Sequence, residues 1–344
     1  MDMSHFITIG ENIHCTRIVL AGGKSTVELP DSGLAVTFTN DGQPRTLAIP
    51  ADWGELSPAY GDGKVKHIAL AVHQATRGDS KARRDGEDYL VAAAQKQIDA
   101  GADFLDVNVD EYSNDPSEQV ETMRWLAGFL SQRVDVPLSI DSSRVETLAA
   151  GLEACRKEVG PPMVNSVSLE RTDAIDTIRR FDAHAVVSAS GKDRMPADAT
   201  ERLANFEQIV ALLDEAGMPR EQMHLDPLVL PISTDPGNGT LLLEATAQAR
   251  KRFDGVHLTG GFSNVSFGMP RRNLLNTVFI RLCVEAGADS GIINPIATPP
   301  AAIAELDEQA EPFRLARAFL TGKDMFGAEF IAAHRDGKLD AAVN

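Results

Sequence analysis

Asp99-Ala-Gly-Ala-Asp-Phe-Leu-Asp-Val-Asn108 decides the fold. A helix-like stretch, Tyr89–Asp99, runs into a glycine suited to a helix C-terminus, and a short apolar run ending in asparagine follows. The same device recurs near the other end of the chain as Glu285-Ala-Gly-Ala-Asp-Ser-Gly-Ile-Ile-Asn294. Outward from these two segments, apolar runs too short for helices recur: Phe6–Gly10, Phe104–Asn108, Pro137–Asp141, Met163–Ser166, Ala185–Ser190, Met223–Asp226, Val256–Gly260 and Gly291–Asn294. They read as buried strands. Longer helix-like stretches separate them, among them Ser117–Gln132, Val145–Lys157, Glu201–Glu215 and Leu274–Glu285. Eight strands alternating with helices imply a parallel sheet with crossover connections. The polar residues at or just after the strand ends fall at positions 108, 141, 165, 190, 226, 264 and 294. Those intervals are close to the roughly 30 residues of one βα unit, so the expected fold is an α/β (β/α)8 TIM barrel.

One interval breaks the rhythm. The stretch from Gly10 to Asn108 holds about three units of chain, and residues 16–66 carry the excess. Thr26-Val-Glu-Leu, Leu34-Ala-Val-Thr-Phe-Thr and Thr46-Leu-Ala-Ile are separated by Pro-Asp-Ser-Gly and Asn-Asp-Gly turns. This is hairpin chemistry, and it predicts a small β insertion after the first strand. A segment entering there is expected at the C-terminal face of the barrel, so 1–325 reads as one barrel carrying the insertion and 326–344 as a tail.

The net charge of -17 disfavours a phosphate backbone as partner, so no nucleic acid is expected. Three widely spaced cysteines, Cys15, Cys155 and Cys283, without a CxxC fit a reducing cytoplasm. No run of 18 apolar residues occurs, and no membrane span or signal peptide is expected. His14, His67 and His73 lack tight metal-ligand spacing, so no metal is expected. Lys192, in Ser188-Ala-Ser-Gly-Lys192, stands where a Schiff-base aldolase of this fold could keep its lysine, but in a glycine-containing loop beside Asp193 and Arg194.

The strand ends are rich in carboxylates and carboxamides: Asp106, Asn108, Asp141, Asn165, Asp226, Asn264 and Asn294. On a barrel such residues are expected to converge on one pocket. A heterocycle with an amide edge and an amino group would satisfy several at once. Helix capping competes for any one of them, most of all for Asp141, which precedes Ser142-Ser143.

These segments resemble the pterin-binding barrels, the dihydropteroate synthase-like family. Within it they are most similar to the methyltetrahydrofolate:corrinoid methyltransferases and the folate domain of cobalamin-dependent methionine synthase. The resemblance is carried by Ile9-Gly-Glu-Asn-Ile13, Gly101–Asp110, Ile140-Asp-Ser-Ser143, Asn165-Ser-Val-Ser-Leu-Glu170, Asp226-Pro-Leu, Gly260-Gly-Phe-Ser-Asn-Val-Ser-Phe-Gly268 and Gly291-Ile-Ile-Asn294. It implies a one-carbon transferase that moves a methyl group between N5 of tetrahydrofolate and the cobalt of a corrinoid (cobalamin). Asp106, Asn165 and Asp226 would bond the pterin, with Glu11, Asn108, Asp141, Ser166, Ser266 and Asn294 in the same pocket. Asn264 would reach N5, and Arg272 stands where related enzymes keep a basic residue. No corrinoid-binding Asp-x-His-x-x-Gly follows the barrel, so the corrinoid is expected on a partner protein; a homodimer is also expected. The insertion is foreign to the family pattern. A dihydropteroate synthase would need an Asn-x-Thr-Pro-Asp-Ser-Phe type loop where Glu11-Asn-Ile-His14 stands. A non-catalytic folate-binding protein is the remaining alternative.

Overall fold

A computed structural model of the chain describes residues 3–30 and 33–339. Eight strands form one parallel sheet: β1 (Ile7–His14), β2 (Phe104–Asn108), β3 (Leu138–Asp141), β4 (Met163–Val167), β5 (His184–Ser188), β6 (Met223–Asp226), β7 (His257–Leu258) and β8 (Ser290–Ile293). Their order is β7-β6-β5-β4-β3-β2-β1-β8. Gly261 bridges to Ile292, and the Ile292 amide donates to the Gly260 carbonyl at 3.0 Å, so the sheet turns back on itself. With helices between the strands, this is the expected (β/α)8 barrel.

The barrel helices are α1 (His67–Arg77), α2 (Ser80–Asp99), α3 (Pro116–Ser131), α4 (Val145–Ala154), α5 (Ala174–Phe181), α6 (Ala199–Glu215), α7 (Asn238–Arg252) and α8 (Arg272–Glu285). After β8 come a short helix, Pro300–Ala304, and two longer ones, α9 (Glu311–Leu320) and α10 (Ala328–Arg335). Cap chemistry sets several starts. Asp115 accepts from the Ser117 amide ahead of Pro116, and Asp198 accepts from the Glu201 amide. The 67–88 stretch, unassigned from sequence, forms α1 and the first turns of α2.

Contacts divide the chain into two compact units, one of 1–10, 100–104 and 163–344, the other of 11–99 and 105–162. In the first, Ile9, Phe104, Met163, Val186 and Ile292 form a buried apolar cluster. The repeated Ala-Gly-Ala-Asp segments have a common structural reason here. Gly101 and Gly287 both take positive φ, +93° and +110°, which L side chains avoid. The aspartate that follows ties the new strand to the one before it. Asp103 accepts from the Thr8 amide of β1 at 2.7 Å, and Asp289 from the Leu258 amide of β7 at 2.8 Å.

The second unit holds the insertion. Thr26–Glu28, Leu34–Asn40 and Gln43–Ala48 form an antiparallel three-stranded sheet, and Ile18–Leu20 pairs with Lys64–Lys66. The Asn-Asp-Gly turn is left-handed at both Asp41 and Gly42, as a tight hairpin requires. Part of the Pro-Asp-Ser-Gly turn, residues 31–32, lies outside the described residues. The sheet packs on α1 and α2. Phe38 meets Tyr89 edge-on at 5.0 Å, Arg45 bridges Asp85 and Asp88, and Gln74 donates to the Ala48 carbonyl. Among the described residues no helix is long and apolar enough to cross a membrane.

Candidate functional site

Parallel pairing decides which polar strand ends become neighbours. In the second unit Asp106 pairs with Ser139 and Asn108 with Asp141 across β2 and β3. Asp106 is fully buried. Its Oδ1 accepts from Ser139 Oγ at 2.5 Å, and its Oδ2 meets His14 Nε2 at 2.7 Å. His14 is the last residue of β1, which runs on past Gly10, where the sequence reading ended it, with Glu11 and Ile13 still buried. Asp141 Oδ2 lies 4.0 Å from the same imidazole nitrogen.

Burial opposes a charge on His14, but the bond and the charge of Asp106, helped by Asp141, outweigh it and raise the imidazole pKa. Burial, then the charge of Asp106, pushes the Asp141 carboxyl up to about 7, against the pull of His14 and a hydrogen bond from Asn108. The ligand atoms of His14, Asp106 and Asp141 all lie within 4.8 Å of one another, a spacing that could hold a cation. The serines after Asp141 belong to a neighbouring carboxylate. Asp110 accepts from Ser142 Oγ at 2.6 Å and from the Ser143 amide and hydroxyl at 2.8 Å. The helix that follows, α4, has Arg144 at its N-cap position and no side-chain cap, so Asp141 is not used for capping. Glu11 is buried and pairs with Arg17 at 3.0 Å, while Arg17 also donates to the Glu11 carbonyl.

In the first unit Ser188 of β5 pairs with Asp226 of β6. Asp226 Oδ1 accepts from the Leu228 amide at 2.8 Å, in a turn that holds Leu228 at φ +72°. Burial pushes the Asp226 carboxyl up to about 6, with that amide and the charge of Arg202 pulling the other way. Asn165 lies opposite Val186 on β4, next to a register shift that takes up Ser166 as the extra residue. Ser166 Oγ accepts from Arg171 at 2.7 Å.

Asn264 is exposed in a short 3-10 turn, Phe262–Ser266, after β7. A Cβ at Gly261 would lie 3.0 Å from its Nδ2, so Gly261 makes room for this side chain. Ser266 and Arg272 hold that turn together. Ser266 Oγ donates to Asn276 Oδ1 at 2.6 Å and accepts from Arg272 Nε at 3.1 Å, and Arg272 Nη2 reaches the Ser263 carbonyl at 2.9 Å. Asn294 Oδ1 accepts from the amides of Ile296 and Ala297, fastening the loop after β8. Lys192 is an exposed loop residue.

Within the second unit, then, the structure brings Asp106, Asn108 and Asp141 together. It adds Ser139 and Asp110, and also His14, whose spacing to the other histidines gave no sign of a site. His14 was legible as the polar end of β1 had that strand been carried to its true end. In the first unit Ser266 and Arg272 meet each other, while Asp226, Asn165 and Asn264 each stand at a different strand top.

A chain with this fold and these strand ends falls among pterin-handling barrels, and the comparisons agree. The family model described as pterin binding enzyme matches residues 78–294, and the chain belongs to that family. It is similar to a methylcorrinoid:tetrahydrofolate methyltransferase of Eubacterium limosum, 27% identical over 259 residues that cover 74% of this chain and 89% of the relative. Among solved structures, a Xanthomonas albilineans dihydropteroate synthase with 7,8-dihydropteroate superposes with a TM-score of 0.51 at 20% identity, covering 64% of this chain and 86% of that one. A Yersinia pestis DHPS with a pterine-sulfa conjugate gives 0.51 at 18% identity, covering 62% and 87%. At these identities the structural likeness speaks for the fold. The α1 helix and the β insertion lie outside the family match.

Proposed function

We propose that this enzyme transfers a methyl group between the cobalt of a corrinoid on a separate protein and N5 of tetrahydrofolate, running from methylcorrinoid to folate. The similarity to the Eubacterium limosum methyltransferase, spanning most of both chains, carries this reading. The strand-end residues support it chemically. Within one unit, Asn165 and Asp226 offer an amide and an acceptor suited to a ring edge bearing N–H, NH2 and C=O groups.

N5 gains a bond to carbon as the cobalt–carbon bond breaks with its electron pair left on the metal. The amine thereby acquires positive charge and sheds its proton. Asn264 sits next to N5 in this reading, with a carboxamide that can accept from N5–H before transfer and re-pair afterwards. A polar shell already in place for the changing charge is electrostatic catalysis. Asp106 and Asp226 are the acid–base groups, acting through water. The corrinoid supplies the methyl carrier, so no nucleophile of the chain is needed.

Methylcobalamin incubated with the protein and tetrahydrofolate should lose its spectrum, and cob(I)alamin with methyltetrahydrofolate should do so in reverse. No change in either direction, with free cobalamin and with corrinoid proteins, would sink the proposal.

A further inference from the structure

Arg202 lies in the first turn of α6 and is 1% exposed. Its Nε and Nη1 are buried without a hydrogen-bond partner among the described residues. The carboxylates acting on it are Asp226 and Asp198, through space. Asp198 is committed to the start of its own helix, accepting from the Glu201 amide at 2.9 Å. Asp226 gives one oxygen to the Leu228 amide. Other arginines of the same unit have partners: the buried Arg281 bonds Glu285 and Glu308, and the half-buried Arg250 bonds the carbonyls of Gly287 and Val256.

A buried guanidinium with unanswered N–H groups is rare in folded interiors, and an explanation is owed for it. The position of Arg202 suggests one. Asn205, one turn further along α6, donates to the carbonyl of Ala189, just past the end of β5. Asp226 ends β6, in register with Ser188 of β5. Arg202 therefore sits at the level of the β5 and β6 strand tops.

The geometry points to Arg202 as the specificity residue that donates to the ring carbonyl of the pterin, beside Asp226, which accepts from the neighbouring ring N–H and amino group. This rests on the folate reading above and deepens it. A carboxylate offers only acceptors and a guanidinium only donors. Side by side they complement an edge that reads C=O, N–H, NH2, which is the pyrimidinone edge of a pterin. Burial raises the Asp226 carboxyl, and Arg202 holds it down; at about 6 it is mostly the accepting carboxylate at neutral pH.

The test compares tetrahydrofolate with its 4-amino analogue, in which an amino group replaces the ring carbonyl, by calorimetric titration at pH 8. The wild-type protein should prefer the carbonyl form by about 10- to 100-fold, the range for one hydrogen bond to a charged group. Arg202→Met removes the donors but keeps much of the volume, and should shrink that preference by about tenfold. Arg202→Lys should retain part of it. Should Arg202→Met fail to fold, the ratio is read on Arg202→Lys and Arg202→Gln, with Gln the weaker discriminator. An unchanged ratio in folded variants, whatever their absolute affinity, overturns the assignment; that result fits an arginine answered only by buried water. A wild-type protein that binds both forms equally also overturns it while leaving the folate reading standing. A wild-type protein that binds neither overturns both.

Discussion

At the end of β2, Asp106 has one oxygen on Ser139 and the other on an imidazole whose pKa its hydrogen bond and charge raise against burial. At the end of β6, Asp226 has one oxygen on a backbone turn, and its nearest cation makes no hydrogen bond through two of its nitrogens. Both carboxylates end strands of the same sheet, yet Asp106 is buried and bonded on both oxygens, while Asp226 is half-buried and bonded on one. The contrast shows how a scaffold can divide its labour. A carboxylate bonded on both oxygens is rigid and already placed, whereas a half-answered carboxylate beside an unanswered cation is selective for what it binds.

The largest effect we expect comes from outside both groups and tests whether the polar strand tops do chemistry at all. Asn264→Ala should slow methyl transfer by about 10- to 1000-fold while weakening folate binding less, because its contact grows as N5 changes charge. Single-turnover rate, folate affinity and melting temperature on one preparation decide it. A variant that loses only stability would make Asn264 a loop strut like Ser266.

Next, Asp106→Ala and Asp226→Ala should each weaken folate binding by about 1–3 kcal/mol, the usual cost of stranding a buried polar partner. The contrast predicts a difference in folding. Asp106→Ala strands Ser139 and His14 and should lower the melting temperature more than Asp226→Ala, which removes one turn bond. Equal melting points would erase the distinction drawn here, and unchanged folate affinity in both would move the pterin elsewhere.

Asp141 sharpens the comparison through pH. Its folded pKa, about 7, is raised above the ordinary carboxyl value, so the native state holds a proton that the unfolded chain has released. Stability associated with that group is therefore present at low pH and lost as pH rises through about 7. The raised His14 has the same sign: its contribution is present below the ordinary imidazole value and lost above the raised one. Asp141→Asn should stabilise the protein by about 1 kcal/mol more at pH 8 than at pH 5, because the loss runs from the ordinary carboxyl value up to about 7. Urea melts at the two pH values check this, and stabilisation that is equal at both would show that the carboxylate carries no repulsion. The smallest effect belongs to the insertion. Arg45→Ala, which loosens the three-stranded sheet from Asp85 and Asp88, should cost under about 1 kcal/mol, since Arg45 and Asp88 are more than a third exposed. Folate affinity should not move; a change there would tie the sheet to the site.

Much of this was open to a reader of the sequence. Short apolar runs cannot be helices, so eight of them spaced by helical stretches specify a parallel barrel, with asparagine and aspartate recurring at the strand ends. The Ala-Gly-Ala-Asp repeat was legible as a helix stop, and its glycines do take the left-handed conformation. Local chemistry alone sets such features. The tertiary structure decided the rest, because partnership depends on register and burial, which no local pattern contains. Ser139 became the partner of Asp106 because β2 and β3 align them. His14 joined them because β1 continues four residues past Gly10. Ser266 and Arg272, which the resemblance would send to the ligand, bond each other across six residues of chain once the turn folds back on α8. Arg202 reads in sequence as an ordinary helix arginine; only the packing of α6 on the strand tops takes its water away and leaves a charge that needs an answer.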